Sequence, residues 1–245
     1  MNGKVYLVGA GPGDPELLTV KAVRILSEID VLLYDRLAGE KVLALVNPLA
    51  ERIYVGKHEG EQEATQNMIF DLMLRHARAG RMVARLKGGD PSVFGRAAEE
   101  WQVLAAAGIE VEIVPGISSA IAAAELVGVP LTARGLSHGF AVVTGHGADE
   151  GPLMWHKYAG VDTLVVLMGV KERAEIAQEL IRAGRKPDEP VMFVERATTA
   201  REKVIVATLG AVAAGAVAVN PPAVFVIGEV VNLRALLTNA LMVAA

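Results

Sequence analysis

The chain reads as an α/β protein of two α/β domains with a ligand cleft between them. Three observations predict this. Short β-rich runs alternate with helical patterns along the whole length, as they do where helices cover a mostly parallel sheet. A Pro115-Gly116 step punctuates the alternation near the middle. The 245 residues, 52% of them hydrophobic, suffice for two modest cores.

The first domain, residues 1–114, offers strands near Val5–Val8, Val31–Tyr34, Arg52–Val55, Met82–Leu86 and Glu110–Val114. Asp14, followed by Pro15, is placed to cap a helix on which Leu18, Ala22, Ile25 and Leu26 form one apolar stripe. A second helix is expected over Ala64–Ala79, with Ile69, Leu72 and Met73 on a face and Gly80 to end it. Ser92 is placed to cap a third, which stops at Gly108. The second domain, residues 115–245, opens with an Ala-rich helix from Ser119 to Leu126, followed by Gly128-Val129-Pro130. Its strands are expected near Phe140–Thr144, Thr163–Leu167, Val191–Val194, Lys203–Ala207 and Ala223–Ile227, with a helix over Lys171–Ala183.

Composition excludes several classes. The apolar runs Val31–Tyr34, Thr163–Met168 and Ala223–Ile227 are strand-length, whereas a spanning helix needs about 20 apolar residues. The chain enters a strand at Lys4, so no signal peptide and no membrane partner are expected. Without cysteine there is no disulfide, thiolate nucleophile or Cys-held cluster, which suits a reducing cytoplasm. The net charge of -4 argues against general nucleic-acid binding. His58, His76, His138, His146 and His156 show no metal-ligand spacing, so no metal is expected.

Three glycine loops carry the ligand argument. The first strand runs into Gly9-Ala10-Gly11-Pro12-Gly13-Asp14, where a dinucleotide turn would have glycine in place of Asp14. A capping Asp takes the amide site that a pyrophosphate needs and repels its charge, and Pro12 removes a donor. Lys87-Gly88-Gly89-Asp90-Pro91 follows the fourth strand. Its paired glycines admit a ligand to the main chain, and Asp90 can accept from an ammonium or a ribose hydroxyl. Pro115-Gly116-Ile117-Ser118-Ser119 opens a helix with small hydroxylated residues. Open α/β sheets bind ligands at such loops, although each loop reads equally as a tight turn. Together they describe a ligand held by backbone and short polar groups rather than a polyphosphate.

The run Val5-Tyr6-Leu7-Val8-Gly9-Ala10-Gly11-Pro12-Gly13-Asp14-Pro15 resembles the opening of the uroporphyrinogen-III C-methyltransferases, in the tetrapyrrole methylase superfamily. The likeness continues in order through Leu33-Tyr34-Asp35-Arg36-Leu37, Val55-Gly56-Lys57, Lys87-Gly88-Gly89-Asp90-Pro91 and Phe94-Gly95-Arg96. It then runs through Val114 to Ser119, Val129-Pro130-Leu131-Thr132, Thr144-Gly145-His146, Leu167-Met168-Gly169 and Gly228-Glu229-Val230-Val231. The resemblance implies the tetrapyrrole methylase fold, a homodimer, and S-adenosyl-L-methionine in the cleft between domains, leaving as S-adenosyl-L-homocysteine. It implies two methylations of uroporphyrinogen III, at C-2 and C-7, giving precorrin-2 for sirohaem and cobalamin biosynthesis. The extra dehydrogenase–ferrochelatase module of bifunctional relatives has no room here, so a stand-alone cytoplasmic methyltransferase is expected.

By motif, the resemblance places Pro12, Gly88, Gly89, Asp90, Val93, Ser118, Ser119, Met168, Ala197 and Ala223 around the cofactor. It makes Asp35 the base and Lys57 the proton donor, where residue type alone reads a turn-capping Asp and a solvated lysine. Alignment of acceptor carbon, methyl and sulfur would then supply much of the catalysis, about 7–11 kcal/mol when good. The substrate's eight carboxylates would suit a cleft with Arg36, Lys57, His58, Arg85, Lys87, Arg96 and Arg134, each of which reads equally as a surface charge. Two departures stand out: Leu131-Thr132-Ala133-Arg134 lacks the family's histidine, and Ala197-Thr198 replaces its Gly-Thr.

Overall fold

The computed structural model describes residues 2–37, 39–56, 62–146 and 153–237. Lys57 and His58 therefore lie outside the described residues. The chain forms two compact units, Met1–Ser119 and Ala120–Ala245.

The first unit is built on strands β1 (Lys4–Gly9), β2 (Val31–Tyr34), β3 (Glu51–Tyr54), β4 (Val83–Lys87) and β5 (Glu110–Val114). They run parallel in the order β3-β2-β4-β1-β5. Helices α1 (Val20–Glu28), α2 (Glu40–Leu43), α3 (Gln62–Arg78) and α4 (Ala97–Ala106) cover both faces. Ala22, Ile25 and Leu26 of α1 and Val42 of α2 pack with Val8, Leu32, Ala84 and Leu86 on one face. Ile69 and Met73 of α3 and Leu104 of α4 pack with Leu7, Leu33 and Val83 on the other. A sheet buried on both sides needs strands with little alternation, and Val31-Leu32-Leu33 is wholly buried.

Two caps differ from expectation. Asp14 Oδ1 accepts from the Glu16 N–H at 3.0 Å and caps only a single 3₁₀ turn, Pro15–Leu17. The helix starts at Val20, where Thr19 Oγ1 accepts from the Ala22 N–H at 3.2 Å. Both residues are good caps, and the one directly before the apolar stripe starts the helix. Ser92 does not cap α4: its own N–H donates to Asp90 Oδ1 at 2.8 Å, and α4 begins only at Ala97. Between them the chain folds onto itself at Gly95, where a Cβ would stand 2.4 Å from the Pro91 carbonyl oxygen, and turns through Arg96 at φ 59°. The segment Pro115–Ser119, expected to open the second domain, is counted with the first unit. Its Gly116 N–H donates to Asp90 Oδ2 at 3.0 Å and ties it there.

The second unit holds β6 (Phe140–Thr144), β7 (Thr163–Leu167), β8 (Pro190–Glu195), β9 (Lys203–Thr208) and β10 (Ala223–Ile227), in the order β6-β7-β10-β8-β9. Only β6 and β7 are parallel, whereas β10 runs against both its neighbours and β8 pairs with β9 in a hairpin. This sheet is thus mixed rather than mostly parallel. The left-handed turn residues Arg196 and Thr198 reverse the chain between β8 and β9, and no crossover helix is then needed. Helix α5 (Ser119–Leu126) lays Ala120, Ala123 and Ala124 on Val165, Met192, Val194 and Val226. On the opposite face α6 (Arg173–Arg182) and α7 (Leu209–Ala213) pack around the stacked rings of Phe193 and Phe225, 4.2 Å apart. Among the described residues no helix is long and apolar enough to cross a membrane, and no three His, Asp or Glu are grouped to hold a metal ion.

Candidate active site

The three glycine loops of the first unit meet at the carboxyl ends of β1, β4 and β5. Gly11 and Gly89 exchange main-chain hydrogen bonds, 3.2 Å from the Gly11 N–H and 2.7 Å from the Gly89 N–H. The Ala10 N–H donates to the Lys87 carbonyl at 2.8 Å. Asp90 joins the second loop to the third: one carboxylate oxygen accepts from Ser92 and the other from Gly116. The glycines here serve close loop-to-loop approach, since a Cβ on Gly9 would lie 2.6 Å from the Gly116 Cα. Ser118 and Ser119 stack on the same junction, with the Ser119 nitrogen 3.5 Å from where a Gly89 Cβ would be. Gly11, Gly88, Gly89, Asp90, Ser118 and Ser119 are thus brought together, with Pro12 directly after the Gly11 bridge and Val93 one turn beyond Asp90, its N–H on the Asp90 carbonyl at 3.2 Å. The loops form the tight turns, and these leave a strip of main chain bordered by small side chains.

Asp35 follows β2 at the same end of the sheet. Its Oδ1 accepts from the Leu37 N–H at 3.0 Å, so it does cap a turn. Its Oδ2 faces Arg85 Nη2 at 3.3 Å. Arg85 and Lys87 point to the face covered by α3 and α4, because β4 alternates and Ala84 and Leu86 belong to the opposite core. Both cations are buried, at 6% and 5% exposure, and so are neither surface solubilising charges nor a basic cleft wall. They converge on Glu100 of α4, which is wholly buried. Lys87 Nζ lies 2.7 Å from Glu100 Oε1, Arg85 Nε 3.5 Å and Gln66 Nε2 3.4 Å. Burial and the neighbouring Arg85 charge hold the Lys87 ammonium below the usual lysine range, against the opposing pull of Glu100. Glu100 carried a visible signal: it lies three residues after Ala97 and four before Leu104, on the helix's buried stripe. Of the remaining expected cations, Arg36, Arg96 and Arg134 are exposed. Arg96 grips Glu99 through Nε at 2.9 Å and Nη2 at 2.6 Å.

In the second unit, Met168, Ala197 and Ala223 stand at one end of the neighbouring strands β7, β8 and β10. Ala223 is in register with Glu195, two residues before Ala197, and the Arg196 N–H donates to the Pro222 carbonyl at 2.9 Å. Ala197 packs on the α5 side and Ala223 on the α6 side, so they flank the sheet end from opposite faces. Met168 is half-exposed at φ 57°, and its carbonyl accepts from His146 Nδ1 at 2.6 Å. That bond holds the strained residue in place.

A family model of tetrapyrrole (corrin/porphyrin) methylases matches residues 4–213. The chain is 49% identical over 233 residues to a uroporphyrinogen-III C-methyltransferase of Pseudomonas aeruginosa, covering 94% of this chain and 95% of that one. It is 46% identical over 243 residues to an S-adenosyl-L-methionine-dependent uroporphyrinogen III methyltransferase of Methanosarcina barkeri, covering 96% and 94%. A solved structure of a uroporphyrin-III C-methyltransferase from Thermus thermophilus, complexed with S-adenosylhomocysteine, aligns with a TM-score of 0.84 and 54% identity over 94% of this chain and 93% of that one. Together, the shared motifs, the two α/β units and matches over more than nine-tenths of each chain establish that the chain belongs to the tetrapyrrole methylase family.

Proposed function

We propose that this chain is an S-adenosyl-L-methionine-dependent methyltransferase that methylates uroporphyrinogen III twice, at C-2 and C-7, to precorrin-2. The observation that carries the reading is the 49% identity, over nearly the whole of both chains, to a protein named for that reaction. The loop chemistry fits the cofactor. Asp14 takes the Glu16 N–H of the 3₁₀ turn that follows the first loop, and its charge disfavours a phosphate there. Each Asp90 oxygen accepts one main-chain N–H and keeps a lone pair for an ammonium or hydroxyl donor.

Pro12, Gly88, Gly89, Asp90, Val93, Ser118 and Ser119 of the first unit and Met168, Ala197 and Ala223 of the second would hold the cofactor. A soft thioether beside small apolar side chains suits a purine without a charged partner. When bound, the cofactor supplies a methyl group on a sulfonium. Asp35 receives, at Oδ2, a proton lost from the macrocycle, and Lys57 returns one. Arg36, Arg96 and Arg134 supply the exposed positive charge for substrate carboxylates. The enzyme works as a homodimer in the cytoplasm, on a route to sirohaem and cobalamin.

The test is mass spectrometry of uroporphyrinogen III incubated with purified protein and S-adenosylmethionine. A gain of two methyl groups is expected. A single methyl, or none on this substrate with transfer to a later corrinoid precursor, overturns the assignment. Light scattering in solution checks the dimer.

A further inference from the structure

We propose that Glu100 is a positioning residue for the proton-transfer step: its buried carboxylate anchors Arg85 and Lys87 and thereby sets how strongly Arg85 holds the carboxylate of Asp35. The inference rests on the reading of Asp35 as base and adds to it a residue from the far side of the sheet–helix layer.

The argument starts from an oddity of β4. A central parallel strand covered on both faces is expected to be apolar, yet Val83-Ala84-Arg85-Leu86-Lys87 turns two cations into the layer beneath α3 and α4. Placing an ionised pair in such a layer is rarely a net source of stability, because desolvation offsets the attraction and well-packed apolar side chains do as well. A breach of the apolar pattern at the ligand end of a sheet is where function is to be sought. Here the breach is organised. Glu100 Oε1 holds Lys87 at 2.7 Å and stands 3.5 Å from Arg85 Nε. Arg85 in turn donates Nη1 to the Leu86 carbonyl at 2.8 Å and presents Nη2 to Asp35 at 3.3 Å. The guanidinium is therefore shared between an innermost carboxylate and one that is a quarter exposed, at 24%.

Geometry leaves slack at both ends of that sharing. The Arg85–Asp35 and Arg85–Glu100 distances are each longer than the 2.7–2.9 Å usual for a charge-assisted bond. Among the described residues, Glu100 Oε2 and Arg85 Nε also have no hydrogen-bond partner of good geometry. Arg85 is thus balanced between two carboxylates. Take away the Glu100 charge and the balance tips: the guanidinium closes on Asp35, and two cations face one anion. Among the described residues, the charged groups that face this cluster are Arg85 and Lys87 of β4, which act on Asp35, and Glu100 of α4, which holds both; Glu99 of α4 acts on Lys87 and engages Arg96, and Arg36 adjoins Asp35 in sequence and is exposed. Among the described side chains of α3, Gln66 reaches Glu100, and it does not titrate.

The test is the pH dependence of kcat in variants with cofactor binding checked by calorimetry with S-adenosylhomocysteine. Glu100→Gln is expected to move the acid limb of kcat to lower pH and to lower the plateau roughly tenfold, with S-adenosylhomocysteine binding unchanged. Glu100→Asp keeps the charge and is expected to return the limb to its wild-type position. Should Glu100→Gln fail to fold, the comparison moves to Lys87→Met against Lys87→Met/Glu100→Gln, where loss of the carboxylate must again shift the limb down. Coincident limbs with and without Glu100, in a folded pair, overturn the proposal. Asp35→Ala run alongside separates the two claims: an intact acid limb there sinks the base reading and this inference with it, whereas a lost limb there with an unmoved one in Glu100→Gln sinks this inference alone.

Discussion

A Cβ on Gly116 would stand 2.4 Å from the carbonyl oxygen of Gly89 and 2.8 Å from the Cα of Gly9. Both neighbours are main chain, so nothing there can rotate aside. Gly116→Ala is expected to cost at least about 2 kcal/mol, the range of overpacking in a tight site, and to separate the second loop from the third. Urea midpoints and S-adenosylhomocysteine titration should fall together. A variant that binds normally would show that the loop junction is not part of the cofactor site.

Asp90 gives a milder test of the same junction. Asn keeps one acceptor oxygen but presents an NH₂ group to a main-chain donor, so either the Ser92 or the Gly116 N–H loses its partner. Loss of one such bond costs about 1–3 kcal/mol. Asp90→Asn should therefore lower the urea midpoint and weaken product binding, and Asp90→Ala should do both more strongly.

Asp35→Ala is expected to lower turnover by at least about 100-fold, as removal of a general base does. Calorimetric binding of S-adenosylhomocysteine should survive, because among the described residues the Asp35 side chain bonds Leu37 and Arg85, which are not among the residues proposed to hold the cofactor. Near-normal turnover would remove Asp35 from the chemistry.

Glu112 on β5 predicts a pH effect remote from the site. The ammonium groups of Lys21 and Lys4 hold its carboxyl down to about 2, from an ordinary 4.5. A carboxyl lowered on folding stabilises fully above its unfolded value, and that contribution fades as pH falls from 4.5 through about 2. Glu112→Gln should be slightly less stable at neutral pH, by less than about 1 kcal/mol because solvent screens the pair. The urea midpoints of variant and wild type should converge as the pH approaches 2. A gap that stays constant would show that the ion pairs contribute nothing.

The strands were legible because their apolar runs are short, dense and bounded by Gly, Pro or charge. All ten form within a residue or two of expectation. Direction was not legible: Val224-Phe225-Val226-Ile227 reads the same whether it runs with β7 or against it, and the pairing partner decides. Caps were half legible, since Asp14 and Thr19 are both good caps and only the tertiary fit of Leu18 and Ala22 separates them. The glycine loops could be found from sequence, yet their mutual contact could not, because Gly9, Gly89 and Gly116 come from three distant turns. The charge cluster was the least readable part. Arg85 and Lys87 look like ordinary surface cations until the strand that carries them is seen to be central, and their partner Glu100 sits across a loop that has no sequence signal of pairing.

The order of the second sheet has a consequence for how the chain emerges from the ribosome. Strand β10 is the last of the described strands to be synthesised, yet it occupies the middle of the sheet, between β7 and β8. Until residues 223–227 are out, the β6–β7 pair and the β8–β9 hairpin have no hydrogen-bonded connection to each other, and the apolar inner faces of Val165 and Met192 wait for Val226. The first sheet, by contrast, is complete once Val114 has appeared. Vectorial synthesis therefore favours early closure of the first unit and leaves the second with two open sheet edges. A truncation just before Ala223 takes the central strand from that sheet.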